Sequence, residues 1–337
     1  MDNINKRNCI GKQLPMRNPI VYCYTIYGFL FSIIERKDMP WVYSHFIQIM
    51  YNEEWHMSIF QDHIDLLNNC PFLDTYIYKF FGNINALINL IINAIEDGYY
   101  LHIFLDRYHI DPYRYSEHHA HTAIITGYDK NDNTFTVYDN FDNGKFVGIK
   151  VDFISVAKAY LSSKTTCLDN LSNNTNIDYS FLQDINFVKY NKHVITTFDP
   201  INVGVLLRKY IEATSGCINF ERNYCYGINI YKRITDEIVK KETSMVKDFH
   251  LLYEHKLLMS ERVKYIASIY KISHDLITDT DRLCEKFLLL RNEYIKLYQY
   301  NNDKLRYNFI NKLNKLKNIE VEIYTRLIGE IKNMGMN

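Results

Sequence analysis

No run of about 18 apolar residues occurs in the 337-residue sequence, so no transmembrane helix is expected. Its opening, MDNINKRNCIGKQ, lacks the apolar stretch of a secretory signal. Neither sign of charge is in excess: 39 Lys and Arg balance 39 Asp and Glu, which argues against a protein built for nucleic-acid backbones. Cysteine is scarce and scattered, 7 residues in all with no Cys-x-x-Cys spacing. An odd set without that spacing argues against a disulfide framework and for a reduced, cytoplasmic protein. P-loop, GxGxxG, HExxH and GxSxG patterns are also missing. The helix breakers are few and unevenly placed. All 6 prolines lie at or before Pro200, and 10 of the 12 glycines at or before Gly227. A mixed, turn-rich N-terminal part therefore precedes a helical C-terminal part.

What is present supports a folded chain, since 47% of the residues are hydrophobic. The 29 tyrosines accompany frequent Asn, Ile and Lys. All four have AT-rich codons, so the tyrosine count is no evidence for a tyrosine-lined site. Helices are predicted over 24–35, 41–51, 84–95, 152–161 and 201–213. Strands are predicted over 99–106, 121–128, 134–139 and 145–150, and Asp129–Asn133 reads as the turn of a β-hairpin. The polar stretch 162–175 reads as a boundary or surface loop. Three or four long helices are expected from 230 to 332. On the last, Leu305, Phe309, Leu313, Leu316, Ile323 and Leu327 recur at helical spacing, as bundle packing requires. Residues 286–337 hold 10 Lys or Arg against 5 Asp or Glu. That bias fits a solvated helical face, or a docking surface for an acidic partner.

Chemistry concentrates between Tyr99 and Phe146. His121 starts the first hairpin strand and Asp139 ends the second, so antiparallel pairing brings them side by side. A carboxylate there fixes the imidazole tautomer and supports the imidazolium. Asn140 is an alternative third member. The natural nucleophile is Cys23, just before an apolar helix whose N-terminus favours a thiolate. Its backbone N–H can face a developing oxyanion. An inert buried thiol is the plain alternative for Cys23, and Cys9 is a rival. Asp106, Tyr108 and Tyr115, with Arg107, fall in the loop before the histidines as candidate substrate-binding residues, or as simple surface. His119 and His121 with Asp106 are metal-ligand types, but no further ligand has recognisable spacing, so no metal is expected.

The order Cys, helix, His, Asp resembles papain-like enzymes of the compressed, bacterial C39-like branch. HHAHTAIITGYDKNDNTFTVYDNF resembles the His-Gly-Tyr-Asp…Asp segment of cysteine-protease-homologous acyltransferases of bacterial antibiotic gene clusters, and FLDRYHIDPY their Asp-x-Tyr segment. YGINIYKRI and LLYEHKLLMSERVKYI are similar to their helical C-terminal region. That family includes the N-terminal family of the butirosin acyltransferase and, more alike, the amide synthase of the closthioamide (polythioamide) pathway. The Gln that papain-like enzymes place shortly before the Cys stands ten residues upstream here, as Gln13, with two prolines between.

The resemblance implies an α+β, papain-like core of antiparallel sheet and helices over 1–161. A mixed extension over 162–228 and a helical region over 229–337 would follow. It further implies an acyltransferase that forms an amide. Cys23 would take an acyl group from the phosphopantetheine thioester of an acyl or peptidyl carrier protein, with His121 as base and Asp139 as orienter. A small amine would then accept the acyl group. No cofactor beyond the carrier's own phosphopantetheine is expected, and no nucleic-acid or membrane partner. A cysteine peptidase or amidase of the same fold, or a non-catalytic binding protein, is the alternative.

Overall fold

The computed structural model describes residues 10–53, 55–63, 65–113, 115–141, 144–169, 180–215, 224–241, 244–300 and 302–334. In chain order the first elements are β1 (Gly11–Gln13), α1 (Thr25–Ile33), α2 (Met39–Ser44), β2 (Ile49–Asn52), β3 (Met57–Phe60), α3 (Leu66–Asn69) and β4 (Leu73–Lys79). Then come α4 (Ile84–Glu96), β5 (Tyr100–Asp106), β6 (Ala120–Asp129), β7 (Thr134–Asn140), β8 (Phe146–Asp152), α5 (Phe153–Ser162) and β9 (Asp184–Tyr190). The remainder are α6 (Pro200–Ile211), β10 (Tyr224–Tyr226), α7 (Ile230–Lys240), α8 (Val246–Ile269), α9 (His274–Tyr300) and α10 (Asp303–Met334). The class is α+β, with an antiparallel sheet and a helical C-terminal region. No helix among the described residues is long and apolar enough to cross a membrane.

Two compact units emerge: Met1–Ile34 with Leu67–Val194, and Glu35–Leu66 with Ile195–Asn337. The divisions expected at 161 and 228 differ from these: β9 returns to the first sheet and pairs with both β4 and β5, while Glu35–Leu66 and the chain from Ile195 onward make up the second unit.

In the first unit the strand order is β4-β9-β5-β6-β7-β8, with β1 beside β6. The hairpin is as expected. β6 and β7 pair antiparallel from Asp129 opposite Thr134, and the Asp129 side chain accepts from the backbone of Asn131 at 2.9 Å inside the turn. Asp152 caps α5 by accepting from Ser155 N at 2.8 Å, which stops the helix start from leaving that N–H unpaired. Gly98 ends α4 in a left-handed conformation, φ +85°. β4 and β9 are strands that no sequence expectation covers. Tyr76, Ile77 and Tyr78 of β4 all stay exposed, so their apolar run does not mark an inner face.

Helix α1 packs against β6 and β7, and Tyr27, Phe29, Leu30 and Ile33 are buried. The close approach depends on Gly28. A Cβ there would lie 2.5 Å from Cγ of Phe146 on β8, at the ring's rooted end rather than at a movable tip.

The second unit holds the three-stranded sheet β10-β2-β3 and helices α2 and α6–α10. α8 and α9 pack along one another, and α10 packs against α9 and α6. The helix expected over 41–51 ends at Ser44 instead. Phe46 adopts a left-handed conformation, φ +45°, and its N–H donates to Asp62 at 3.2 Å, so the chain leaves the helix and enters β2. On α10, Phe309, Leu313, Leu316, Ile323 and Leu327 are buried, whereas Leu305 is 49% exposed and lies outside the stripe.

Gly28→Ala should lower stability by about 1–3 kcal/mol, because overpacking forces α1 off Phe146. Gly329→Ala, whose added Cβ meets nothing within 4 Å, should be neutral or stabilising by up to about 1 kcal/mol through helix propensity. Urea denaturation of the two variants beside wild type checks the contrast.

Candidate active site

The site is built at one end of the β6–β7 hairpin. β6 pairs with β5 so that Leu105 faces His121 and Asp106 faces Ala120. On the other side Ile124 faces Tyr138. Continuing that register puts Asp139 beside Ala123, one same-face step from His121, which is a diagonal cross-strand neighbour. The side chains meet: His121 Nδ1 lies 2.9 Å from Asp139 Oδ2 and 2.9 Å from the Thr122 carbonyl. Both partners can only accept, so Nδ1 carries the proton and donates. Nε2 is then the nitrogen left to act as a base. The imidazole is partly exposed, while Asp139 is fully buried.

Asp139 accepts from three side chains. Besides His121 these are Thr25 Oγ at Oδ1 and Tyr113 OH at Oδ2, both in short hydrogen bonds. Burial alone would raise its pKa. The hydrogen bond and charge of His121, with the bonds from Thr25 and Tyr113, outweigh burial and hold the carboxyl below its ordinary value. Tyr113 responds in the opposite sense. Burial, then the charge of Asp139, pushes its phenol well above the ordinary range, so it stays a donor. The Arg107 guanidinium stands over the Tyr113 ring, 4.9 Å from its centroid.

The same strand end brackets Cys23. Asn140 donates through Nδ2 to the Tyr22 carbonyl at 2.8 Å, one residue before the cysteine. Asp139 holds Thr25, two residues after it. Two residues of chain reach at most about 7 Å, so Cys23 lies on a short segment that hydrogen bonds tie to the end of β7 on both sides. The residue is buried, 6% exposed. Asn140 is thus a strut for the Cys23 segment, while Asp139 takes the third position behind the imidazole. Sequence reasoning misses Thr25 and Tyr113. Each contributes a single hydroxyl that follows no periodicity, and only the helix start just before Thr25 could have drawn attention to it.

Asp106 does not line a substrate channel, a correction to the expectation. It is fully buried. Its Oδ1 accepts from Tyr108 N at 3.1 Å and His119 N at 3.0 Å, and its Oδ2 from His118 Nδ1 and Ser162 Oγ, each at 2.6 Å. These bonds outweigh the burial that would raise its pKa and leave it below the ordinary value. It anchors the loop leading to His121. Tyr108 and Tyr115 are exposed, at 48% and 45%, so they remain available to a substrate. Tyr115 accepts from Arg107 at 3.1 Å and stacks on His119. His119 and His121 do not converge with Asp106, since His121 turns to Asp139. Gln13 is not an oxyanion donor either, because its amide donates to Thr126 Oγ at 2.8 Å and to the Leu14 carbonyl at 3.0 Å.

Three other thiols are held in the protonated form, and Cys70 is buried. Burial pushes Cys167 up to about 12, and Cys225 and Cys284 up to about 11. Cys9 and Cys217 lie outside the described residues. In the second unit Lys256 Nζ meets Glu320 at 2.6 Å and His255 Nδ1 at 2.8 Å, and Tyr210 donates to Glu320 at 2.8 Å. All four side chains are buried, which suits helix packing rather than substrate chemistry. Compared with protein-family profiles and with curated proteins, the chain matches none.

Asp139→Asn should slow alkylation of Cys23 by iodoacetamide near neutral pH, because the amide no longer favours the Nδ1–H tautomer or an imidazolium. Peptide mapping after timed alkylation reads this. The same substitution changes acid stability. The folded Asp139 pKa is depressed below the unfolded value of about 3.9. Its ionisation therefore stabilises the fold above that unfolded value, and the contribution fades as pH falls through the lower folded value. The stability gap between wild type and Asp139→Asn should narrow below about pH 4, as urea melts across pH would show.

Proposed function

We propose that this chain is a cysteine-dependent acyltransferase that forms amides from carrier-protein thioesters, of the kind met in polythioamide-type antibiotic biosynthesis. The observation that carries the catalytic reading is the end of β7. There Asp139 orients His121 and ties Thr25, while Asn140 ties Tyr22, so the segment that carries Cys23 is tied on both sides to the strand end that orients the imidazole, and this supports Cys23 as the nucleophile. The likeness of residues 98–161 to antibiotic-cluster acyltransferases supports the choice of acyl chemistry.

In this reading His121 Nε2 takes the Cys23 proton. The thiolate attacks the thioester carbonyl of the acyl-phosphopantetheine, and the tetrahedral oxyanion is held by backbone N–H at the start of α1. Collapse expels the carrier thiol, which takes its proton from the imidazolium. An amine then attacks the acyl-enzyme, gives a proton to His121, and leaves as the amide with Cys23 restored. Thioester to amide runs downhill, so no nucleotide is required. One feature supports an aminolytic site, and a second supports the thiolate that either acceptor requires. Cys23 is buried, which limits water at the acyl-enzyme. Helix α1 also carries no side-chain cap at Tyr24 and no acid in its first turn, so its N-terminal field is left to favour a thiolate. A peptidase would use the same first half-reaction and differ in its acceptor.

Intact-mass spectrometry of the protein mixed with acyl-loaded carrier protein tests the proposal. Wild type should gain the acyl mass and Cys23→Ala should not. Added diamine should discharge the adduct as an amide faster than water does. Discharge by water alone would make the chain a hydrolase, and a persistent adduct on Cys23→Ala would remove Cys23 as nucleophile.

A further inference from the structure

A second His–Asp pair lies in the loop between β5 and β6, and the acyl chemistry does not use it. His118 Nδ1 is 2.6 Å from Asp106 Oδ2. His109 enters from the same loop: one of its ring nitrogens, one of His118's and a carboxylate oxygen of Asp106 lie within 4.8 Å of one another. The His109 and His118 ring centroids are 5.9 Å apart. The Tyr108 ring sits against both, 5.2 and 4.5 Å from them. We propose that Asp106, His109 and His118 form a binding site for a divalent first-row transition ion, with Zn2+ as the best match.

The donor set decides the class of ion. Two imidazoles with one carboxylate suit Zn2+, Ni2+ or Cu2+, whereas Mg2+ and Ca2+ want oxygen shells. Three protein donors leave a fourth position to water. Bonds of about 2.1 Å place neighbouring donors roughly 3–3.5 Å apart, which small rotations of two partly exposed rings reach. The ion takes the place of the proton between His118 Nδ1 and Asp106 Oδ2. The remaining bonds to Asp106, from Tyr108 N, His119 N and Ser162 Oγ, stay in place and hold the ligating carboxylate still, as outer-shell partners do. His109 and His118 flank Tyr113, which donates to Asp139. A bound ion would therefore clamp the loop that supports the proposed catalytic pair.

Calorimetric titration of the full chain with ZnSO4, and with MgSO4 as control, tests the site. One equivalent of Zn2+ should bind and Mg2+ should not. His109→Ala and His118→Ala should each weaken Zn2+ binding about 10-fold or more, and Cys23→Ser should leave it unchanged. Metal-free thermal melts establish that the variants fold. If His118→Ala does not, His109→Ala alone carries the comparison. No binding at a large excess of Zn2+, or an affinity that His109→Ala leaves unaltered, would overturn the site. So would an affinity lost in Cys23→Ser.

Discussion

A buried carboxylate with three donors organises this molecule's candidate chemistry. Asp139 is fully buried, and an ionised carboxylate removed from water is stable only when its lone pairs are engaged. The three side chains that engage it come from positions 25, 113 and 121. These belong to the start of α1, the β5–β6 loop and the start of β6, so one charge ties the start of α1 to a loop and strand far along the sequence. Bonds to a charged group contribute about 1.5–3 kcal/mol each, but their number matters less than their completeness. A partly satisfied carboxylate at this depth would take up a proton, and His121 would then lose the partner that sets its tautomer.

That dependence explains which parts of the site could be read in advance. The hairpin has a strong period-2 pattern and an Asp/Asn-rich turn, so His121 and Asp139 could be placed side by side from spacing alone. The helix start at Cys23 was legible from Pro19 and the apolar run that follows. Thr25 and Tyr113 were not, because a single hydroxyl pointing at a buried acid leaves no periodic trace. Asp106 shows the reverse failure. Its place at a strand end beside a polar loop suggests a substrate contact, yet four donors converge on it and it is fully buried. Charge in a loop cannot be told from charge beneath a loop without knowing where the chain folds back.

The fold itself follows the same division. Helices α1, α4, α5 and α6 are local, with breakers or caps at their ends, and their positions are written in nearby residues. The strands β4 and β9 find each other across more than a hundred residues, and β9 enters the sheet between β4 and β5. Pairing at that distance is decided by what remains unpaired on β5, not by the strand's own composition. The early end of α2 is another case. A hydrogen bond from Phe46 to Asp62 outweighs a sequence that continues to favour a helix.

Capping shows how the site departs from the rest of its unit. Helix α4 is capped by Asn83, accepting from Ala86 N at 3.0 Å, and α5 by Asp152. Helix α1 has Tyr24 at that position and no side-chain cap. An Asp or Ser there would add about 1 kcal/mol of helix stability. It would also place a competing acceptor at the positive end of the helix dipole, directly beside the thiol. The tie from Thr25 to Asp139 supplies from the side what a cap would supply from the end. It anchors the first turn, so one carboxylate both orients the proposed base and holds a helix start that lacks a side-chain cap.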